Sequence, residues 1–167
     1  MQATKRVLIV EDDPDSVRMA VALLRNEPYR LLWATNAHDA LQLARQHTPD
    51  VILLSWTLPE MNGNSFAELL ESDPVTARIP LVLFSLEPWV FAARWREKAV
   101  QVVNKTYMFE ELAPRLRDAL DLPPVPETTE QALARLRDRS LWWAGEHEED
   151  WRPVYRGRLR HTHLLGA

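Results

Sequence analysis

Four short apolar runs in this chain lead into residues able to do chemistry. Val7–Val10 runs into Glu11, Asp12 and Asp13, and Val51–Leu54 into Ser55. Leu81–Phe84 ends at Ser85, and Val100–Val103 runs on to Lys105. Unbroken apolar runs of this length read as strands buried on both faces. In an open parallel sheet, chemistry gathers just past the C-terminal ends of such strands. After the Val51–Leu54 run, the residue so placed is Ser55. As a nucleophile its hydroxyl would need an adjacent base. None of the five His residues falls at a strand end, and the nearby acids are poor bases for an alcohol. Ser55 is therefore read as a local hydrogen-bonding group rather than an attacking one.

The segments between these runs carry helical patterns. Asp13 suits an N-cap and Pro14 the first helical position, with Val17, Ala20, Val21 and Leu24 forming one apolar face. Leu31–Trp33 is a further strand. Asn36 is expected to cap a helix with Ala37, Ala40, Leu41 and Ala44 inward. After Ser55, the stretch from Trp56 to Gly63 contains Pro59 and Asn62-Gly63 and reads as a loop. Asn64 is expected to cap the next helix, with Phe66, Leu69 and Leu70 inward. Pro88 opens a helix carrying Trp89, Phe91 and Trp95, and a last helix carries Phe109, Leu112, Ala113, Leu116 and Leu120. Strands and helices alternate five times, which predicts an α/β fold with a parallel sheet covered on both faces.

Composition sets bounds on function. The chain has 167 residues, of which 46% are apolar, enough for one domain with a packed core and a modest extension. A net charge of −4 gives no general drive towards nucleic acid or anionic membranes. With no Cys, disulfides, thiolate zinc sites and a Cys nucleophile are excluded. No apolar run approaches a membrane span, and a cytoplasmic protein is expected. Residues 122–126, Leu122-Pro123-Pro124-Val125-Pro126, read as a stiff linker. Beyond it, residues 127–167 form an expected C-terminal extension. It comprises one helix, opened by a capping-box spacing from Thr128 to Gln131, and a tail with Trp142, Trp143, Trp151 and Tyr155. Arg152, Arg156, Arg158 and Arg160 close the tail. His161 and His163 are two potential metal ligands, too few for a site.

The stretch Leu58-Pro59-Glu60-Met61-Asn62-Gly63 after the Val51 run resembles the phosphoacceptor strand and loop of response-regulator receiver domains, the switch modules of two-component signalling and phosphorelays. The resemblance covers residues 5 to 121, and the receiver-like domain is taken as residues 1–121. It implies a flavodoxin-like, doubly wound, five-stranded parallel sheet of order 2-1-3-4-5. On that order Glu11, Asp12 and Ser55 meet at one sheet edge, with Ser85 and Lys105 beside them.

By the same resemblance, Glu11 and Asp12 match the family's acidic pair, with Asp12 as direct metal ligand, and the Thr57 carbonyl matches its backbone ligand. Ser85 matches the hydroxyl donor and Lys105 the phosphate-pairing Lys. The departures are as informative. Ser55 stands where the family has its acceptor Asp, Val102 where it has a switch aromatic, and Thr106 where a Pro follows the Lys. The segment from Ser85 to Lys105 is short, so the fourth helix is expected to be trimmed. Glu11, Asp12 and the Thr57 carbonyl leave room for weak magnesium binding at most, and no cofactor is otherwise expected. A direct pair between Lys105 and Glu11 or Asp12 is the favoured arrangement, because a desolvated lone Lys is costly.

These residues point to a degenerate pseudo-receiver, not an enzyme, that signals through protein–protein contact. The expected partner is a histidine kinase or another regulator, with a homodimer as an alternative. Trp89, Phe91, Trp95, Trp142, Trp143 and Trp151 are the candidate contact surface. Two other readings stay open: a receiver switch phosphorylated at a non-standard residue such as Asp12 or Asp13, and a DNA-associated regulator acting through the basic tail. The extension is too short for the usual DNA-binding effector domains, which makes nucleic acid the weaker reading.

Overall fold

The computed structural model describes residues 4–122. The order is β1 (Lys5–Val10), α1 (Pro14–Leu24), β2 (Tyr29–Ala34), α2 (Ala37–His47), β3 (Val51–Ser55), α3 (Gly63–Ser72) and β4 (Leu81–Ser85). A 3-10 turn (Pro88–Val90), α4 (Ala93–Lys98), β5 (Gln101–Asn104), a second 3-10 turn (Lys105–Tyr107) and α5 (Met108–Ala119) follow. The five strands form one sheet of order β2-β1-β3-β4-β5, with every pair parallel. This is the flavodoxin-like arrangement, with β1 and β3 adjacent at the point where the strand order reverses.

Alternation along the central strands divides the core in two. Leu8, Val10, Ile52, Leu54 and Leu83 face one side and pack with Ala40 and Leu43 of α2 and Phe66 and Leu70 of α3. Val7, Ile9, Leu53, Val82 and Phe84 face the other side and pack with Ala20 and Leu24 of α1 and Leu112 and Leu116 of α5. A central strand clothed on both faces has no polar side to alternate with, and all five residues of β3 are buried.

The helix caps follow the expected chemistry with one exception. Asp13 accepts from the amides of Asp15 and Ser16 at the head of α1, and Asn36 accepts from Asp39 at the head of α2. The cap of α3 is Asn62, not Asn64. The Asn62 side chain accepts from the Ser65 amide, and the helix opens at Gly63. The two-residue shift follows from the loop: Thr57 and Asn62 pair across an isolated bridge, so the chain leaves extended geometry at Asn62. Leu69, expected to face inward, is exposed; Phe66, Ala67 and Leu70 form the buried face of α3.

The single helix expected from Pro88 is divided. The Pro88–Val90 turn and the six-residue α4 are separated by Phe91 and Ala92 in extended conformation. Phe91 and Trp95 are not surface residues: they are 1% and 3% exposed and belong to the core on the α2–α3 side. Two bulky rings anchor a segment too short to bury a continuous apolar stripe. Of the three aromatics only Trp89, at 64%, lies in the open. The linker, the extension, and with them Trp142, Trp143, Trp151, the paired His and the Arg run, lie outside the described residues.

The capping assignment is directly testable. Asn62→Ala should cost about 1 kcal/mol of stability, the usual worth of an Asn cap, read as a lowered urea midpoint with an unchanged slope.

Candidate functional site

The site is built where parallel strands release their chains together. The Glu11 amide donates to the Ala34 carbonyl at 3.0 Å, carrying the β1–β2 pairing one residue past β1. This holds the Glu11 side chain at the strand ends, fully buried. On the neighbouring strand, Ser55 is the last residue of β3 and is also buried. It lies in register with Phe84 of β4, while Ser85 lies in register with Asn104 of β5, immediately before Lys105.

Lys105 is the centre of the arrangement. Its ammonium forms an ion pair with Glu11 Oε2 and lies 3.3 Å from Ser55 Oγ, to which it donates. Its Nζ also lies 4.9 Å from the centroid of the Phe84 ring, within cation–π range. The other carboxylate oxygen of Glu11 accepts the Asp13 amide at 3.1 Å. Burial pushes the Glu11 carboxyl above its ordinary value of 4.5; the charge and hydrogen bond of Lys105 offset this only in part. Asp13 behaves in the opposite way. Partial burial raises its carboxyl, but the hydroxyl and amide of Ser16 and the amide of Asp15 outweigh this and hold it below its ordinary value.

The other candidate residues are arranged more loosely. Asp12 is half-buried and makes no hydrogen bond or ion pair among the described residues. The Ser85 hydroxyl is buried and accepts the Glu87 amide at 3.2 Å, a local turn rather than a bond into the pocket. Thr57 is exposed on the bridge to Asn62. Val102 is half-buried and packs against the core that contains Phe91 and Trp95. Of the two acids weighed as partners for Lys105, Glu11 takes the role.

These residues do not make a full magnesium site. The side chain at the end of β3 supplies a hydroxyl where a carboxylate ligand is needed, and the Glu11 oxygen nearest the pocket already faces an ammonium. No group of three acidic or His residues able to hold a metal occurs among the described residues. No helix among them is long and apolar enough to cross a membrane.

A family model for the response regulator receiver domain matches residues 7–117. The chain belongs to the response regulator receiver domain family. Protein PilH of Pseudomonas aeruginosa is 36% identical to this receiver domain over 78 residues, which is 47% of this chain and 64% of PilH. The polar-differentiation response regulator DivK of Brucella anthropi is 35% identical over 78 residues, 47% of this chain and 63% of DivK. Each match spans a little under two thirds of the relative's length. The receiver domain of the sensor histidine kinase PA1611 from Pseudomonas aeruginosa PAO1 was solved with a magnesium ion in its active site cleft. It superposes with a TM-score of 0.61 at 22% identity, covering 71% of this chain and 99% of its own. That likeness is one of fold.

Three site residues escape sequence reasoning. Phe84 reads as core, yet its ring lies beside the Lys105 ammonium; only the β3–β4 register reveals it. Leu86 and Tyr107 are 63% and 56% exposed. Leu86 follows the end of β4 and Tyr107 closes the turn after β5, the two strands whose last residues, Ser85 and Asn104, lie in register. A large apolar residue just past a strand end was the available signal for both.

Removing one partner of the buried pair leaves the other uncompensated. Lys105→Met should destabilise the domain by roughly 3 kcal/mol at neutral pH, read by urea unfolding. Because the folded-state value of Glu11 lies above 4.5, its contribution to stability is fully present below pH 4.5 and is lost as pH rises through the raised value. Urea midpoints measured from about pH 4 to about pH 7 should show this loss in the wild type and not in Glu11→Gln.

Proposed function

We propose that this receiver domain is a pseudo-receiver, which signals by protein–protein contact without Asp phosphorylation. The observation that carries the reading is the engagement of Lys105. Its ammonium is paired with Glu11 and donates to a Ser hydroxyl at the end of β3. An acyl phosphate needs a carboxylate at that position to attack phosphorus, and Ser55 has none. Phosphoryl transfer also needs a cation to neutralise the transferred oxygens, and the donor set is one carboxylate short.

Partners of the kind suited to receivers, a histidine kinase or another regulator, would meet exposed apolar side chains on the segments that follow β4 and β5. These are Leu86, Trp89 and Tyr107, with Trp89 the strongest candidate anchor. No enzymatic output and no nucleic-acid contact are part of this reading, and it requires no cofactor. The cytoplasm is its expected setting. Whether Trp142, Trp143 and Trp151 share in the contact is a question for partner capture with and without residues 127–167.

The test is intact mass before and after incubation with a small phosphodonor and magnesium, run beside Ser55→Asp. The wild type should gain no mass, and Ser55→Asp should gain one phosphoryl group. A stoichiometric gain by the wild type would overturn the proposal and direct the search to Asp12 or Asp13.

A further inference from the structure

The segment between β4 and β5 is fastened to α3 and to the β3–α3 loop at several independent points. Phe91 lies directly over Gly63. A Cβ at that glycine would fall 2.7 Å from Phe91 Cε1 and 2.8 Å from the Ser55 carbonyl oxygen, so the ring is seated only because residue 63 has no side chain. The same ring stands edge-on to Trp56, with centroids 5.2 Å apart and planes at 78°. Beneath it, the Gly63 amide donates to the Trp56 carbonyl at 2.6 Å. Beside it, the Ala92 amide donates to Asn64 Oδ1 at 3.0 Å. This is the role Asn64 plays in place of capping.

One turn further on, Arg94 and Lys98 both pair with Glu71 of α3. Lys98 first, and then Arg94, hold the Glu71 carboxyl below its ordinary value. Both cations also lie over the ring of the buried Trp95, at 4.6 Å for the Arg94 guanidinium and 5.5 Å for Lys98 Nζ. A six-residue helix has little stability of its own. Its position is set by these fastenings rather than by its backbone.

We propose that residues 88–98 form a latch, with Phe91 and Trp95 as its plug and Asn64 and Glu71 as its catches. The latch joins the β4–α4 segment and the β3–α3 loop into one body at the rim of the pocket. The exposed Trp89 is thereby held in a fixed relation to the end of β3. Val102 of β5 is half-buried and packs against the same core cluster as the two rings. The latch stands whether or not any residue of the pocket takes a phosphoryl group, so its test is separate from the mass measurement.

Hydrogen exchange on the full chain reads the coupling through amides on both sides of the contact. Gly63 reports the β3–α3 loop and Ala92 reports the latch. Phe91→Ala should speed exchange across residues 56–66 and 88–99 together, by about tenfold or more, as expected when one cooperative unit opens. Strands β1 and β2 should stay within about twofold of wild type. Where Phe91→Ala does not fold, Phe91→Leu and Asn64→Ala should give a smaller change, again shared by both segments. Acceleration confined to 88–99, or spread evenly through β1 and β2, would overturn the latch.

Discussion

The buried pair of Lys105 and Glu11 is the interaction on which the pocket end of the molecule depends. Parallel strands end together, so polar residues that terminate them are forced into one desolvated space. A charge there must find an opposite charge and further hydrogen bonds, or change its protonation. Lys105 meets this requirement with a carboxylate, a hydroxyl and an aromatic face. Glu11 meets it with the ammonium on one oxygen and the Asp13 amide on the other. The consequences spread outward. Asp13, held by its amide, turns its side chain to the head of α1. Lys105 begins the short turn that leads into α5. One ion pair thus ties the segment leading into α1 to the turn leading into α5.

Around that pair, several neighbouring residues fit one another. A hydroxyl at the end of β3 leaves the ammonium to be balanced by Glu11. Phe91 and Trp95, delivered from the β4–β5 segment, enter the core cluster against which Val102 packs. Gly63 then does double duty, permitting a tight loop behind Ser55 and a seat for Phe91. Together they give a Lys105 ammonium engaged by Glu11 and Ser55, and a neighbouring segment held by core packing.

Much of this architecture is carried by local pattern. Short, largely apolar runs of three or four residues identify the strands, and helical spacing identifies α1, α2 and α5. Asp13-Pro14 and Asn36 mark two helix starts because side-chain capping is a local event. The order of the strands and the convergence of Glu11, Ser55 and Lys105 were legible through resemblance. The errors arise where local signals compete. Asn62 and Asn64 are both good caps, and the choice rests on the Thr57–Asn62 bridge, which links residues the loop brings together. Phe91 and Trp95 could equally have been surface anchors, because a short irregular segment has no periodicity from which to assign an inward face.

What the sequence determined by itself was therefore the inventory: a parallel α/β domain, most of its caps and strand ends, and a serine at the end of the third strand. The tertiary structure decided which groups touch. It chose Glu11 over Asp12 for Lys105 and set the Phe84 ring beside the ammonium. It also sent two of three aromatics inward, leaving Trp89, Leu86 and Tyr107 outside. The reason is physical. Capping and strand formation depend on neighbours in the chain. Charge pairing and ring burial depend on register and loop path, which bring together residues as far apart as Glu11 and Lys105.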